Sequence, residues 1–173
     1  MNAPRLLASV FKTRLGWCGI VYNEKYNGKK EVERTYLPTS KSKAREYVKN
    51  FPLKNFAGME RKIRAYFKGG KIDFSGVECA LDRCPPFHKK VYKKLMNVPY
   101  GKTVTYAELA RMAGNPKASR AVGSAMAKNP MPLIIPCHRV IKSNGEIGNF
   151  SSDRGPALKA KMLGIEGNSS LLG

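Results

Sequence analysis

The stretch TVTYAELARMAGNPKASRAVGSAMAKN, Thr103–Asn129, decides how the C-terminal half of the chain folds. Tyr106, Leu109, Ala110 and Ala113 recur at i, i+3, i+4 and i+7, which puts them on one face of a helix ending at Gly114. Asn115 then offers an N-cap, and Pro116 a first-turn residue, for a second helix. A helix, a short glycine-containing turn and a second helix make a helix-turn-helix layout. On the second helix Lys117, Arg120, Ser124 and Lys128 fall at i, i+3, i+7 and i+11 as a basic stripe. Ala118, Ala121, Gly123, Ala125 and Ala127 leave little bulk around it, so this helix can approach another surface closely. That surface is either a neighbouring helix or a nucleic acid, and Arg120 is the side chain long enough to reach into the second.

Immediately downstream lies PLIIPCHRV, Pro132–Val140, in which Cys137 stands beside one of the chain's two histidines, His138, and beside Arg139. A free thiol is mostly protonated at neutral pH, so a nucleophilic cysteine needs a base or a positive environment. His138 supplies the first and Arg139 the second. If the run is extended, successive side chains point to opposite faces, and a water or a local turn must connect Cys137 to His138. A third group should orient the histidine. Only Glu108, Glu146, Asp153 and Glu166 carry carboxylates beyond Pro85, and spacing does not choose among them.

The chain's net charge of +20 draws polyanions, with nucleic acid the usual partner, although the excess divides evenly across Pro85 and so does not locate the contact. A hydrophobic fraction of 42% suits a globular protein, and no apolar run approaches a membrane span. The expectation is a soluble, cytoplasmic protein. Cys18, Cys79, Cys84 and Cys137 include no CxxC pair, which speaks against a four-ligand zinc site and leaves a Cys79–Cys84 disulfide open.

Residues 1–80 read as a small α+β domain. Two strand-like runs flank Asn27–Gly28, a hairpin turn signal, and helical patterns follow at SKSKAREYVKNF and ERKIRAYFKGG, with KIDF as a returning strand. ECALDRCPPF, Glu78–Phe87, holds two prolines that interrupt regular structure and marks the linker to a second domain at 85–173. That domain opens with an amphipathic helix on Phe87, Val91 and Leu95.

The segments PPFHKKVY, PYGKTVTYAELARMAGNPKASRAVGSAMAKNP, LIIPCHRVIKSNGEIGNFS and LKAKMLGIEG resemble the O6-alkylguanine-DNA alkyltransferase family over nearly all of residues 85–167. The resemblance implies an α+β protein of two domains. The N-terminal one is an RNase H-like α/β scaffold with an antiparallel hairpin; the C-terminal one is mainly helical and winged-helix-like, with the helix-turn-helix. It implies Cys137 as alkyl acceptor, His138 as base through a water, Glu166 as anchor of the histidine and Tyr106 as proton donor to the departing guanine. Arg120 would fill the stack vacated by a flipped base, with Asn115, Ser143, Lys117 and Ser124 also on the DNA side. Asn129, Met126, Pro132, Val140, Phe150 and Ser151 would form the pocket, Phe150 standing where the family often has Tyr. The implied partner is double-stranded DNA carrying O6-alkylguanine, bound by a monomer in the minor groove, with no cofactor and no metal. His88 reads as a surface or DNA-adjacent residue. The alternative is a helix-turn-helix module that binds alkylated bases without reacting; relatives of that kind lack the cysteine, which is present here.

Overall fold

A computed structural model describes residues 5–168 and 170. Its contacts divide the chain into two compact units, Met1–Leu81 and Asp82–Gly173.

The first unit is built on an antiparallel sheet in the order β1 (Leu6–Thr13), β2 (Gly16–Glu24), β3 (Lys30–Thr39). The β2–β3 hairpin is the one expected at Asn27–Gly28: Gly28 takes a φ of 77°, and the Lys25 N–H closes the turn on the Lys29 carbonyl at 2.8 Å. Helices α1 (Lys41–Val48) and α2 (Ala57–Phe67) follow, and side-chain alternation along β1 assigns them to opposite faces. Leu6, Ala8 and Val10 pack with Val48 of α1. From the other face Ser9 donates to the buried Glu60 carboxylate of α2 at 2.5 Å, and Arg64 of α2 lies over the Phe11 ring. A sheet covered on both sides has no polar face, which is why β1 is buried along most of its length.

The expected strand at KIDF does not form. The Asp73 side chain accepts from both the N–H (2.8 Å) and the hydroxyl of Ser75, a local turn that competes with extension. Phe74 is buried edge-on against Tyr66 instead.

In the second unit α3 (Pro86–Met96), α4 (Tyr106–Met112), α5 (Ser119–Ala127) and α6 (Gly155–Ile165) enclose a core that includes Val91, Leu95, Leu109, Val122, Ala125, Leu158 and Met162. The Tyr92 hydroxyl ties α3 to the Ala125 carbonyl of α5 at 2.8 Å. Helix α4 begins in a capping box. Thr105 accepts the Glu108 N–H, and the Glu108 carboxylate accepts the Thr105 N–H at 2.7 Å. It ends at Gly114, where φ is 84°. The start expected for the second helix is corrected. Asn115 is not its cap: the Ala118 N–H bonds the Asn115 carbonyl at 3.0 Å, a turn that delays α5 to Ser119 and leaves Lys117 before the helix. Strands β4 (Val104–Thr105) and β5 (Val140–Ile141) pair in parallel, so the end of β4 and the segment leading into β5 lie side by side. Among the described residues no helix is long and apolar enough to cross a membrane.

Candidate active site

Cys137, His138 and Arg139 form a single 3-10 turn between the Pro132–Pro136 loop and β5, so the run is not extended at this point. Asn129 organises the approach. Its amide donates to the Ile135 carbonyl at 2.9 Å and its oxygen accepts the Met131 N–H at 3.0 Å. Inside this bracket Leu133 adopts a φ of 80°, a left-handed conformation uncommon for leucine, held by its buried setting and by the Ile135 N–H to Met131 carbonyl bond. The loop therefore delivers Cys137 into the interior, where the thiol is buried. Burial pushes its pKa up, opposed by a hydrogen bond from Asn129 and by the charge of Lys159.

The polar partner of this turn is Glu166, the residue that ends α6. His138 Nε2 meets Glu166 Oε1 at 2.8 Å, and both side chains are fully buried. Arg139 grips the same carboxylate in bidentate fashion, Nε to Oε2 at 2.9 Å and Nη2 to Oε1 at 3.0 Å, and its Nη1 donates to the Val98 carbonyl at 2.6 Å. The Gly101 N–H adds a bond to Oε2 at 3.1 Å. A side chain at Gly101 would be pressed to 3.0 Å from the Glu166 carbonyl, so the close approach suits glycine. Burial alone would raise the Glu166 pKa, but the donors from His138 and Arg139 outweigh it and hold the carboxyl at about 2. Burial lowers the pKa of His138 more than Glu166 raises it, with Arg139 and Lys159 adding to the lowering. The ring is neutral at pH 7 against an ionised carboxylate. Such an oxygen only accepts, so Nε2 carries the hydrogen and Nδ1 the lone pair.

Tyr106 opens α4, and burial, then the neighbouring Cys137, raises its pKa, so it stays a protonated donor. Its hydroxyl comes near Gly148, and it borders a cavity of about 370 Å³ with Ala107, Ser119, Lys142, Ser143 and Asn144. Arg120 and Ser124 lie exposed on α5. Asn115 and Lys117 are exposed in the turn before it, and Ser143 is exposed in the turn after β5. None of these joins the buried network through a bond described above. Met126 is buried on α5 and Val140 in β5, Pro132 and Phe150 are half-buried, and Ser151 is exposed. His88 stacks edge-on against Tyr92 at 6.0 Å. All four cysteines are free thiols, which leaves Cys79 and Cys84 unbridged.

One residue takes another role than its place in the sequence suggests, and one was not singled out there. Arg139 was expected to supply positive charge to the thiol, but its guanidinium is spent on Glu166 and Val98. Lys159 of α6 is fully buried, donating to the Val140 carbonyl at 2.6 Å, and burial lowers its pKa to about 8. The signal was present: Lys159 precedes Leu163 by four residues, on the apolar face of α6.

The family model described as the DNA binding domain of 6-O-methylguanine DNA methyltransferase matches residues 86–168, the span that holds this network. A methylated-DNA–protein-cysteine methyltransferase of Methanosarcina acetivorans is 39% identical over 150 residues, covering 87% of this chain and 86% of that protein. The O6-methylguanine-DNA methyltransferase of the hyperthermophilic archaeon Pyrococcus kodakaraensis superposes with a TM-score of 0.75 at 28% identity, over 92% of this chain and 99% of the other. The Mycobacterium tuberculosis OGT in complex with DNA does so with a TM-score of 0.73 at 27% identity, over 96% and 99%. Sequence identity that spans both compact units, and not only the helix-turn-helix, leaves one conclusion: the chain belongs to the methylated-DNA–protein-cysteine methyltransferase family.

Proposed function

We propose that this protein repairs DNA by moving the alkyl group of O6-alkylguanine onto its own Cys137, once per molecule. The observation that carries the reading is the buried hydrogen bond between Glu166 and His138, the residue that follows the buried Cys137, inside the matched domain. The Nε2–H of His138 is committed to Glu166, so Nδ1 is the base, and the thiol proton reaches it through an intervening water. Arg139 holds Glu166 ionised and takes up part of its charge, which keeps the imidazole neutral and able to accept. The sulfur then attacks the alkyl carbon in line, the carbon–oxygen bond breaks, and its electron pair passes into the guanine ring. Tyr106 gives its proton to that ring as it leaves, and the proton held on His138 restores the balance. In sum, the thiol hydrogen and the alkyl group change places. The thioether has no step that would release it.

A base stacked in a duplex cannot reach this cysteine, so the nucleotide must be extruded. The small residues of α5 let it enter the minor groove, and Arg120 occupies the vacated stack. Asn115, Lys117, Ser124 and Ser143 meet the backbone around it. Asn129, Met126, Pro132, Val140, Phe150 and Ser151 shape the pocket, residues 85–173 carry the chemistry, and residues 1–80 serve as scaffold. The protein acts as a cytoplasmic monomer.

Incubation with duplex DNA containing O6-methylguanine should add one methyl group to the peptide bearing Cys137, read by intact-protein and peptide mass spectrometry. An unchanged mass, or a gain that persists in Cys137→Ala, would refute the reading.

A further inference from the structure

Of the six residues bordering the cavity beside Tyr106, only Tyr106 and Ser143 have roles proposed above, and Lys142 is the one cation among the other four. Lys142 follows β5, and its backbone N–H bonds the Glu146 carbonyl at 2.9 Å while its own carbonyl accepts the Gly145 N–H. The tight turn folds the Glu146 carboxylate back onto the lysine, with Nζ to Oε2 at 2.5 Å. Both side chains remain half-exposed or more, at 51% and 60%. The Lys142 stem runs beside Gly148, whose Cβ, if it had one, would lie 3.5 Å from Lys142 Cγ and 3.7 Å from the Tyr106 hydroxyl. The ammonium is close enough to the tyrosine to oppose the rise in its pKa.

Lys142 and the exposed Ser143 border the same cavity as Tyr106, the residue to which the repair reading brings the extruded guanine. Exposed ion pairs are weak, about 0 to 1 kcal/mol, so Glu146 holds Lys142 in place without committing it. A phosphate offers a charge-assisted partner of the same sign as the carboxylate. We propose that Lys142 is an exchangeable phosphate contact: in the free protein it rests on Glu146, and in the complex it passes to a backbone phosphate beside the extruded nucleotide. The proposal rests on the repair reading above. Glu146 is the competitor in this exchange, a carboxylate that lowers affinity for undamaged and damaged DNA alike.

The test measures duplex affinity and its salt dependence for four proteins with O6-methylguanine DNA: wild type, Lys142→Ala, Glu146→Gln and Lys71→Ala. Lys71 is an exposed lysine of the first unit, and its loss controls for net charge. Each neutralised phosphate contributes roughly 0.9 to the slope of log affinity against log salt. Lys142→Ala should lower the slope by about that much and weaken binding several-fold, while Glu146→Gln should tighten binding several-fold. The exchange is overturned if Lys142→Ala keeps the wild-type slope, if Lys71→Ala lowers it equally, or if Glu146→Gln weakens binding. Wild-type protein that binds DNA in these assays yet gains no methyl group would sink the repair reading and leave the phosphate contact standing.

Discussion

The Glu166 carboxylate is the point on which the buried network turns, because His138, Arg139 and Gly101 all donate to it. Its folded pKa of about 2 lies below the ordinary 4.5, so its linkage contribution to stability is fully present above about pH 5. That contribution is lost as pH falls toward 2. Thermal melts across this window should show a steep acid loss that Glu166→Gln flattens. The same substitution leaves the Arg139 guanidinium buried against a neutral amide, which should cost about 3–5 kcal/mol at pH 7. Denaturant titration measures it; a loss under 1 kcal/mol would mean that Arg139 finds another acceptor. Arg139→Lys should also be damaging, since a lysine cannot reproduce a fork that reaches both the carboxylate and the Val98 carbonyl. A double-mutant cycle between positions 139 and 166 should return a coupling above 1 kcal/mol.

At the scale of elements, α4 and α5 were legible because their side-chain spacing and the glycine stop act locally. The start of α5 was not. Asn115 is as good a cap as any in isolation, but its carbonyl is taken by the Ala118 N–H, a choice the turn geometry makes and composition does not record. Strand β1 was missed for the opposite reason. Helices cover both of its faces, so LLASVFKT lacks the polar alternation that marks a half-buried strand. Glu166 could be singled out only through resemblance, because its partners lie 27 and 28 residues away in sequence. The Thr105–Glu108 box caps α4, and Thr105→Ala should destabilise the second unit by about 1 kcal/mol in a denaturant titration. For α5 the informative change is Arg120→Ala. It should slow repair of duplex DNA at least ten-fold and leave the reaction with free O6-benzylguanine within about two-fold, both followed as second-order rate constants. Equal losses would mean that Arg120 supports the pocket, not extrusion of the base.

For the whole molecule, the charge of +20 was the most accessible property of the sequence and the least informative about position. Its consequence is kinetic and depends on salt. A surface of this sign raises the rate of encounter with duplex DNA, and each phosphate neutralised returns counterions to solution. A footprint of about six phosphates should therefore lose on the order of a thousand-fold in duplex affinity between 50 and 200 mM salt. Free O6-benzylguanine carries no phosphate, so its rate of transfer to Cys137 should stay nearly flat over the same range. The comparison separates two jobs that the fold keeps apart. The buried residues Cys137, His138, Glu166 and Arg139 lie beneath the surface and are little screened, whereas Arg120 of α5, the Lys142 turn and the exposed lysines sit in solvent and are screened strongly. If both rates fell together, salt would be acting on the network itself, and the surface charge would have no part in bringing the lesion to the cysteine.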